Sequence, residues 1–219
     1  MSGTFTDNRL YISGDTVVIS DLHLPDGAPV EDRWESVLEA ADTCSTLVLN
    51  GDFLTGFPPS EDALLMLEDA VKHYETVRYH LGNHEEMTVP SNKPLSPEIV
   101  FGSQVQGYQL EDLEIAMYSL IGEQEDVLVT HGHRLSVNMP ADDVTEIVIG
   151  HIHPSHPAKV PVALSAPFRF NEQISVIVCP AFGSGISNFS YKDQNRMNDF
   201  IESISQSSIL KSFDGVRAE

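Results

Sequence analysis

Apolar residues recur along the chain in short runs, each closed by a cluster of polar residues. Residues 9–12 (RLYI) and 16–20 (TVVIS) flank Ser13, Gly14 and Asp15, which reads as a hairpin turn. Further runs of strand character follow at 46–50 (TLVLN), 76–81 (TVRYHL), 126–130 (DVLVT), 146–149 (EIVI) and from Ile174 to Cys179. Between them lie helical patterns, over 31–42 around Trp34, Val37 and Leu38, and over 60–74, where Ser60 suits the cap and Glu61 and Asp62 the first turn. A further helix is predicted over 192–204, whereas 207–219 read as irregular and 86–98, with three prolines, as a surface loop. Strands alternating with helices predict an α/β fold with an at least partly parallel sheet.

The polar clusters sit immediately after the strands. Asp21 and His23 follow VVIS, Asp52 follows LVLNG, Asn83 and His84 follow YHLG, His131 and His133 follow VLVT, and His151 and His153 follow IVIG. Loops at the carboxyl ends of strands in an open α/β sheet converge on one crevice. Neutral imidazole together with carboxylate suits Mn²⁺, Fe or Zn²⁺, and there are more groups than one ion needs, so two ions sharing a bridging carboxylate are expected. His80, inside its strand, and His156 read as structural.

Composition narrows the picture. A chain of 219 residues with 41% apolar content can bury a substantial core and is read as a single domain, 1–219. No basic start precedes an apolar stretch, and no segment approaches the roughly 18 apolar residues of a membrane span, so a soluble, cytoplasmic protein without a membrane partner is expected. Cys44 and Cys179 lack metal-type spacing and read as two small buried side chains. Against 33 acidic residues stand 12 basic ones, a net charge of −21. Such a charge opposes a broad nucleic-acid footprint. The acids are dispersed and lysines are few, which predicts adaptation to concentrated salt, where the screening length falls to about 3 Å at 1 M.

The motifs DLH (21–23), NGD (50–52), GNHE (82–85), HGH (131–133) and GHIH (150–153), in that order, resemble the signature set of the calcineurin-like metallophosphoesterases over residues 15–154. VCPAFGSG (178–185), with the following Asn188, is similar to the C-terminal strand and loop of the small archaeal and bacterial ICC-like, or ligase-associated, phosphoesterases. The resemblance implies an α/β/β/α sandwich of two mixed sheets. It implies a metal-dependent phosphoesterase with two divalent transition ions, Mn²⁺ first and Fe, Zn²⁺ or Ni²⁺ as alternatives. Asp21, His23 and His153 would hold one ion, Asn83, His131 and His151 the other, and Asp52 would bridge them. A bridging hydroxide would attack phosphorus while the ions neutralise the phosphoryl oxygens.

Within the same resemblance, His84 contacts the phosphate and protonates the leaving alkoxide, and Glu85 orients His84 as its carboxylate partner. Glu86 reads as a solvated acid, His133 as a phosphate-contacting or supporting group, and Arg134 as a possible phosphate clamp. The acid that many relatives carry shortly after GD is replaced here by Phe53, Leu54, Thr55 and Gly56. The expected substrates are small phosphomono- or phosphodiesters, nucleotides or cyclic nucleotides. A DNA nuclease is the alternative, less favoured because there is no basic stripe. A non-catalytic scaffold is disfavoured because His84 and all seven ligand candidates are present.

Overall fold

A computed structural model describes residues 3–6, 9–24, 31–86, 95–133, 143–155, 163–168, 171–183, 189–190 and 217–218. Strands β1 (Thr4–Phe5), β2 (Tyr11–Ser13), β3 (Thr16–Ile19), β4 (Thr46–Asn50), β5 (Thr76–His80) and β6 (Leu113–Ala116) form one sheet in that order. The first three strands are antiparallel and β3 to β6 run parallel. Gly14 opens the two-residue turn between β2 and β3 with φ of 60°, a left-handed value that glycine adopts without strain.

A second sheet draws on β7 (Tyr118–Ile121), β8 (Val127–Thr130) and β9 (Glu146–Ile149). After a two-residue strand, β10 (Pro154–Ser155), it continues with β11 (Leu164–Phe168) and β12 (Asn171–Val178). β10 pairs with β13 (Phe189–Ser190), and β14 (Arg217–Ala218) closes the larger sheet in the order β14-β11-β12-β9-β8-β7. Here β8, β9 and β12 are parallel and the outer strands antiparallel. Both sheets are therefore mixed.

Helices α1 (Glu31–Ala40) and α2 (Glu61–His73) cross between strands of the first sheet, followed by the short α3 (Asn83–Glu86) and α4 (Pro97–Phe101). The Ser60 side chain caps α2 by accepting the Ala63 N–H at 3.2 Å, and Ala63, Leu64, Leu67 and Ala70 make its buried stripe. Val17, Ile19, Leu47, Leu49, Val77 and Tyr79 pack in one core with Trp34 and Val37 of α1 and the α2 stripe. The alternate residues Val18 and Val48 pack in another with Val127, Val129, Val148 and Ile177 of the second sheet. Burial on both faces is why these strands read as unbroken apolar runs.

Cys44 and Cys179 are buried free thiols, as their spacing predicts. Two segments expected to be irregular or loop carry regular structure. Arg217–Ala218 pairs with Leu164 and Ser165 rather than being irregular, and within 86–98 Glu86 closes α3 while Pro97 opens α4 behind its Ser96 cap. The expected helix over 192–204 lies outside the described residues, as do Arg134, His156 and Asn188.

The register aligns the strand ends. Ile19 pairs with Leu49 and Leu49 with Tyr79, while Thr130 pairs with Ile149 in the other sheet. Every polar cluster thus leaves from the same end of the two facing sheets.

Candidate metal centre

Asp21, His23, Asp52, His151 and His153 all take left-handed backbone conformations, with φ of 59°, 54°, 47°, 66° and 49°. Such a conformation costs a non-glycine residue on the order of 1–3 kcal/mol and persists only where the surroundings enforce it. Here the enforcement is local. The Asp21 N–H donates to the Gly51 carbonyl at 3.1 Å and the His23 N–H to that of Asp52 at 2.9 Å. The His151 N–H donates to both Asp21 carboxylate oxygens, at 3.1 and 3.0 Å. Glycine is required where loops touch: a Cβ on Gly82 would overlap Asp52 Oδ1, and one on Gly150 would overlap Ser20 Oγ.

Three overlapping groups of possible ligand atoms result, Asp21 with His23 and His153, Asp52 with His131 and His151, and, between these, His23 with Asp52 and His84. In the first, His153 Nε2 lies 2.8 Å from Asp21 Oδ1 and 3.2 Å from His23 Nε2. In the second, His131 Nε2 lies 3.3 Å from Asp52 Oδ2 and 3.3 Å from Asn83 Oδ1, and His151 closes the group. Asp52 Oδ2 is also 3.8 Å from His23 Nε2, so one oxygen faces both the first and the second group. The other, Oδ1, accepts the His84 N–H at 3.1 Å.

The donor set fits cations. His131 Nδ1 faces the Asn50 carbonyl at 2.9 Å, and because a carbonyl can only accept, Nδ1 carries the proton and Nε2 turns toward two oxygens. Burial disfavours a charged His131, yet Asp52 and then Asp21 outweigh it and hold the imidazole up at about 9. Burial likewise opposes ionised Asp52, but the His131 charge and the His84 N–H hold its carboxyl below the ordinary range. Burial, followed by the His131 charge, brings His151 down to about 4, the neutral form that a metal ligand needs.

Asn83 and His84 diverge. While Asn83 reaches His131, His84 Nε2 stands 4.0 Å from Asp52 Oδ2 with its ring edge-on to His23 at 5.2 Å. His84 Nδ1 donates to the Thr55 carbonyl at 3.1 Å. The expectation that Glu85 orients His84 is corrected by this contact. Glu85 is fully buried and accepts the N–H groups of Asp52 (3.2 Å), Leu54 (2.9 Å) and Gly82 (2.9 Å) and the Tyr79 hydroxyl (2.8 Å). It ties the NGD loop to the GNHE loop, and Thr55, in the segment where relatives carry a further acid, supplies the partner of His84.

The comparison with known families decides the identity. The model of the calcineurin-like phosphoesterase family matches residues 15–179. The chain belongs to this family. Among solved structures, the phosphoesterase is similar to the Pseudomonas putida nuclease MPE, at 19% identity over 83% of this chain and 84% of that one, with a TM-score of 0.50. A protein of Streptococcus pneumoniae TIGR4 described as a predicted phosphoesterase matches at 14% identity over 80% of this chain and 76% of that one, with a TM-score of 0.39. A search of curated protein sequences finds no match. The chain is a phosphoester hydrolase of a metal-dependent family, and among the described residues no helix is long and apolar enough to cross a membrane.

Some supporting residues of the phosphoesterase carry no sequence expectation. Asn50 accepts Ser20 Oγ–H at 2.9 Å on the same carbonyl that holds His131, and its side-chain amide donates to the Thr130 carbonyl at 3.0 Å. Its Oδ1 meets His80 Nδ1 at 3.0 Å, and His80 Nε2 meets Ser119 Oγ at 2.7 Å. Burial pushes His80 down to about 3, so it stays neutral and structural, as expected, while fixing the residue that fixes His131. The signal for Asn50 is an amide at the end of a strand buried on both faces, where it must be satisfied by partners from neighbouring strands. Glu86 is not merely a solvated acid: it pairs with His133 Nε2 at 2.7 Å, and the His133 ring lies 5.3 Å from that of His131.

Removing the buried carboxylate at 85 is expected to be costly. Glu85→Ala strands two or more backbone donors, at about 1–3 kcal/mol each. A loss of roughly 3 kcal/mol lowers the melting temperature of a chain this size by about 6–12 °C. Differential scanning calorimetry of the chelator-treated protein measures this, and a drop below about 2 °C would contradict the bracing role.

Proposed function

We propose that this chain hydrolyses small phosphomono- or phosphodiesters, nucleotides included, with two divalent transition ions, Mn²⁺ foremost. The observation that carries the reading is Asp52 Oδ2, which faces both the first and the second group of ligand atoms. Asp21, His23 and His153 would hold one ion, and Asn83, His131 and His151 the other. Bound ions acidify water and neutralise phosphoryl oxygens.

The protein's own residues do the rest. With its Nδ1–H committed to Thr55, any second proton on His84 sits on Nε2, the atom turned toward the centre, where it can be handed to a departing alkoxide. Glu85 keeps the Asp52 and His84 loops in register. His133, held by Glu86, supports the same side of the pocket.

The test is a substrate panel with the Mn²⁺-loaded protein: p-nitrophenyl phosphate, its bis ester, cyclic nucleotides and single-stranded DNA. Hydrolysis of the small esters, lost on chelation and restored by Mn²⁺, is the expected result. Activity unaffected by exhaustive chelation would overturn the metal reading. A nuclease is the second reading, suggested by the function named for the Pseudomonas putida neighbour and opposed by a net charge of −21. It wins if DNA is cleaved in preference to every small ester.

The remaining readings are a single domain over 1–219, a cytoplasmic location and adaptation to salt. Raising KCl from about 0.1 M to several molar shortens the screening length from about 10 Å to below 3 Å. Self-repulsion of the acids and repulsion of an anionic substrate should weaken together, so the melting temperature rises and the apparent KM for small phosphates falls. Greatest stability and activity at the lowest salt would refute the adaptation.

A further inference from the structure

Arg9 and Arg33 meet at the loop that follows β12. Arg9 Nη1 donates to the carbonyls of Ala181 (2.8 Å) and Phe182 (3.3 Å), with that of Gly183 at 3.4 Å. Arg33 Nη1 donates to the Phe182 carbonyl, and its guanidinium lies over the Phe182 ring, 5.6 Å from the centroid. The loop is fastened in turn to the metal centre, since the Phe182 N–H donates to the Ser20 carbonyl at 2.8 Å and the Gly183 N–H to that of Asp21 at 3.1 Å. Two guanidinium groups are therefore anchored one backbone hydrogen bond from a residue of the first ligand group.

What these arginines lack is more informative than what they touch. The chain carries 33 acids against 12 basic residues, and elsewhere Arg78 pairs with Glu114 at 3.0 Å and Lys72 with Glu68 at 2.9 Å. Among the described residues no carboxylate pairs with Arg9 or Arg33, and none of these residues accepts from their Nε or Nη2 donors. Both side chains are only partly buried. Burial and then the charge of Arg33 lower Arg9 to about 10, and burial lowers Arg33; a guanidinium keeps its charge at neutral pH. Two like charges held together repel, and with no counter-charge among the described residues an anion between them would relieve that repulsion. Guanidinium donors in a fixed fork suit a phosphate.

We propose that Arg9 and Arg33 form a binding site for a second phosphate of the substrate, beyond the ester that is cleaved. The inference rests on the phosphoesterase reading and narrows it to substrates with two phosphates, such as a nucleoside bisphosphate or a short phosphodiester. The scissile group sits at the Asp21–Asp52 centre, and the second anion takes the Nε and Nη2 donors of the arginine pair.

Two activated esters with the same leaving group separate the possibilities: thymidine 5′-(p-nitrophenyl phosphate) and its 3′-phosphorylated counterpart. The Mn²⁺-loaded wild type is expected to show a kcat/KM about tenfold or more higher on the 3′-phosphorylated ester, from one or two added charge-assisted hydrogen bonds. Arg9→Gln and Arg33→Gln should each bring that ratio toward one, and Arg33→Lys should retain part of it. A wild-type ratio near one, with the simple ester cleaved, overturns the second-phosphate site and leaves the phosphoesterase intact. Variants that slow both esters equally and keep the ratio also overturn it, because the arginines then only brace the loop. If neither ester releases p-nitrophenolate, the phosphodiesterase part of the proposed function has failed. Calorimetry then still decides the arginine site, since equal affinities for thymidine 3′,5′-bisphosphate and thymidine 5′-phosphate would reject it.

Discussion

Asp52→Asn is expected to remove metal from the whole centre and to abolish turnover. The variant keeps an oxygen that can accept the His84 N–H, now made at 3.1 Å, so the loop has no steric reason to move. What it loses is the anionic oxygen lying 3.8 Å from His23 Nε2 and 3.3 Å from His131 Nε2. Ions in such a site supply several kcal/mol of transition-state stabilisation, and each 1.36 kcal/mol is tenfold in rate, so a fall of about 10³ or more follows. Two controls separate metal loss from unfolding. Chelator-treated wild type and variant should melt within a few degrees of each other, whereas Mn²⁺ should raise the melting temperature of the wild type alone, by linkage. Elemental analysis completes the test. A variant that retains two ions per chain would remove Asp52 from the bridging position.

The strand-end motifs made most of this centre legible in the sequence, because polar residues after an apolar run leave a parallel sheet at one edge. Other features had no such signal. The left-handed backbone at Asp21, Asp52 and His151 is imposed by carbonyls and carboxylates from other loops, and nothing in an aspartate or a histidine announces it. Adjacency misled at Glu85. In the helical turn Asn83–Glu86 successive side chains are about 100° apart, so Glu85 turns into the core toward Tyr79 while His84 faces the centre. β6 and β7 have no clear signal in the sequence because Leu113–Ile121 is one run, and the change of sheet at Met117 has no turn residue to mark it. The meeting of Arg9 with Ala181 spans 172 positions, and only the assembled sheets create it.

His84→Ala should separate chemistry from assembly. The proposed ligand set does not include His84, and its backbone N–H to Asp52 survives the substitution, so metal content should stay near that of the wild type. The lost group is an imidazole fixed at Nδ1 by Thr55 with Nε2 open to the centre. A leaving alkoxide needs a proton as the P–O bond breaks, whereas p-nitrophenolate is stable without one. A general acid contributes on the order of 10² to 10⁴ in rate, so kcat on alkyl phosphates should fall by that factor and kcat on p-nitrophenyl phosphate by far less. The comparison is internal to one variant, which removes differences in folding and loading. Thr55 meets His84 only through its carbonyl, its hydroxyl donating instead to the Leu24 carbonyl at 2.9 Å, so Thr55→Ala should change neither ratio nor metal content. An equal loss on both ester types in His84→Ala would assign this histidine to phosphate binding alone, and a loss of metal equal to that of Asp52→Asn would make it a ligand.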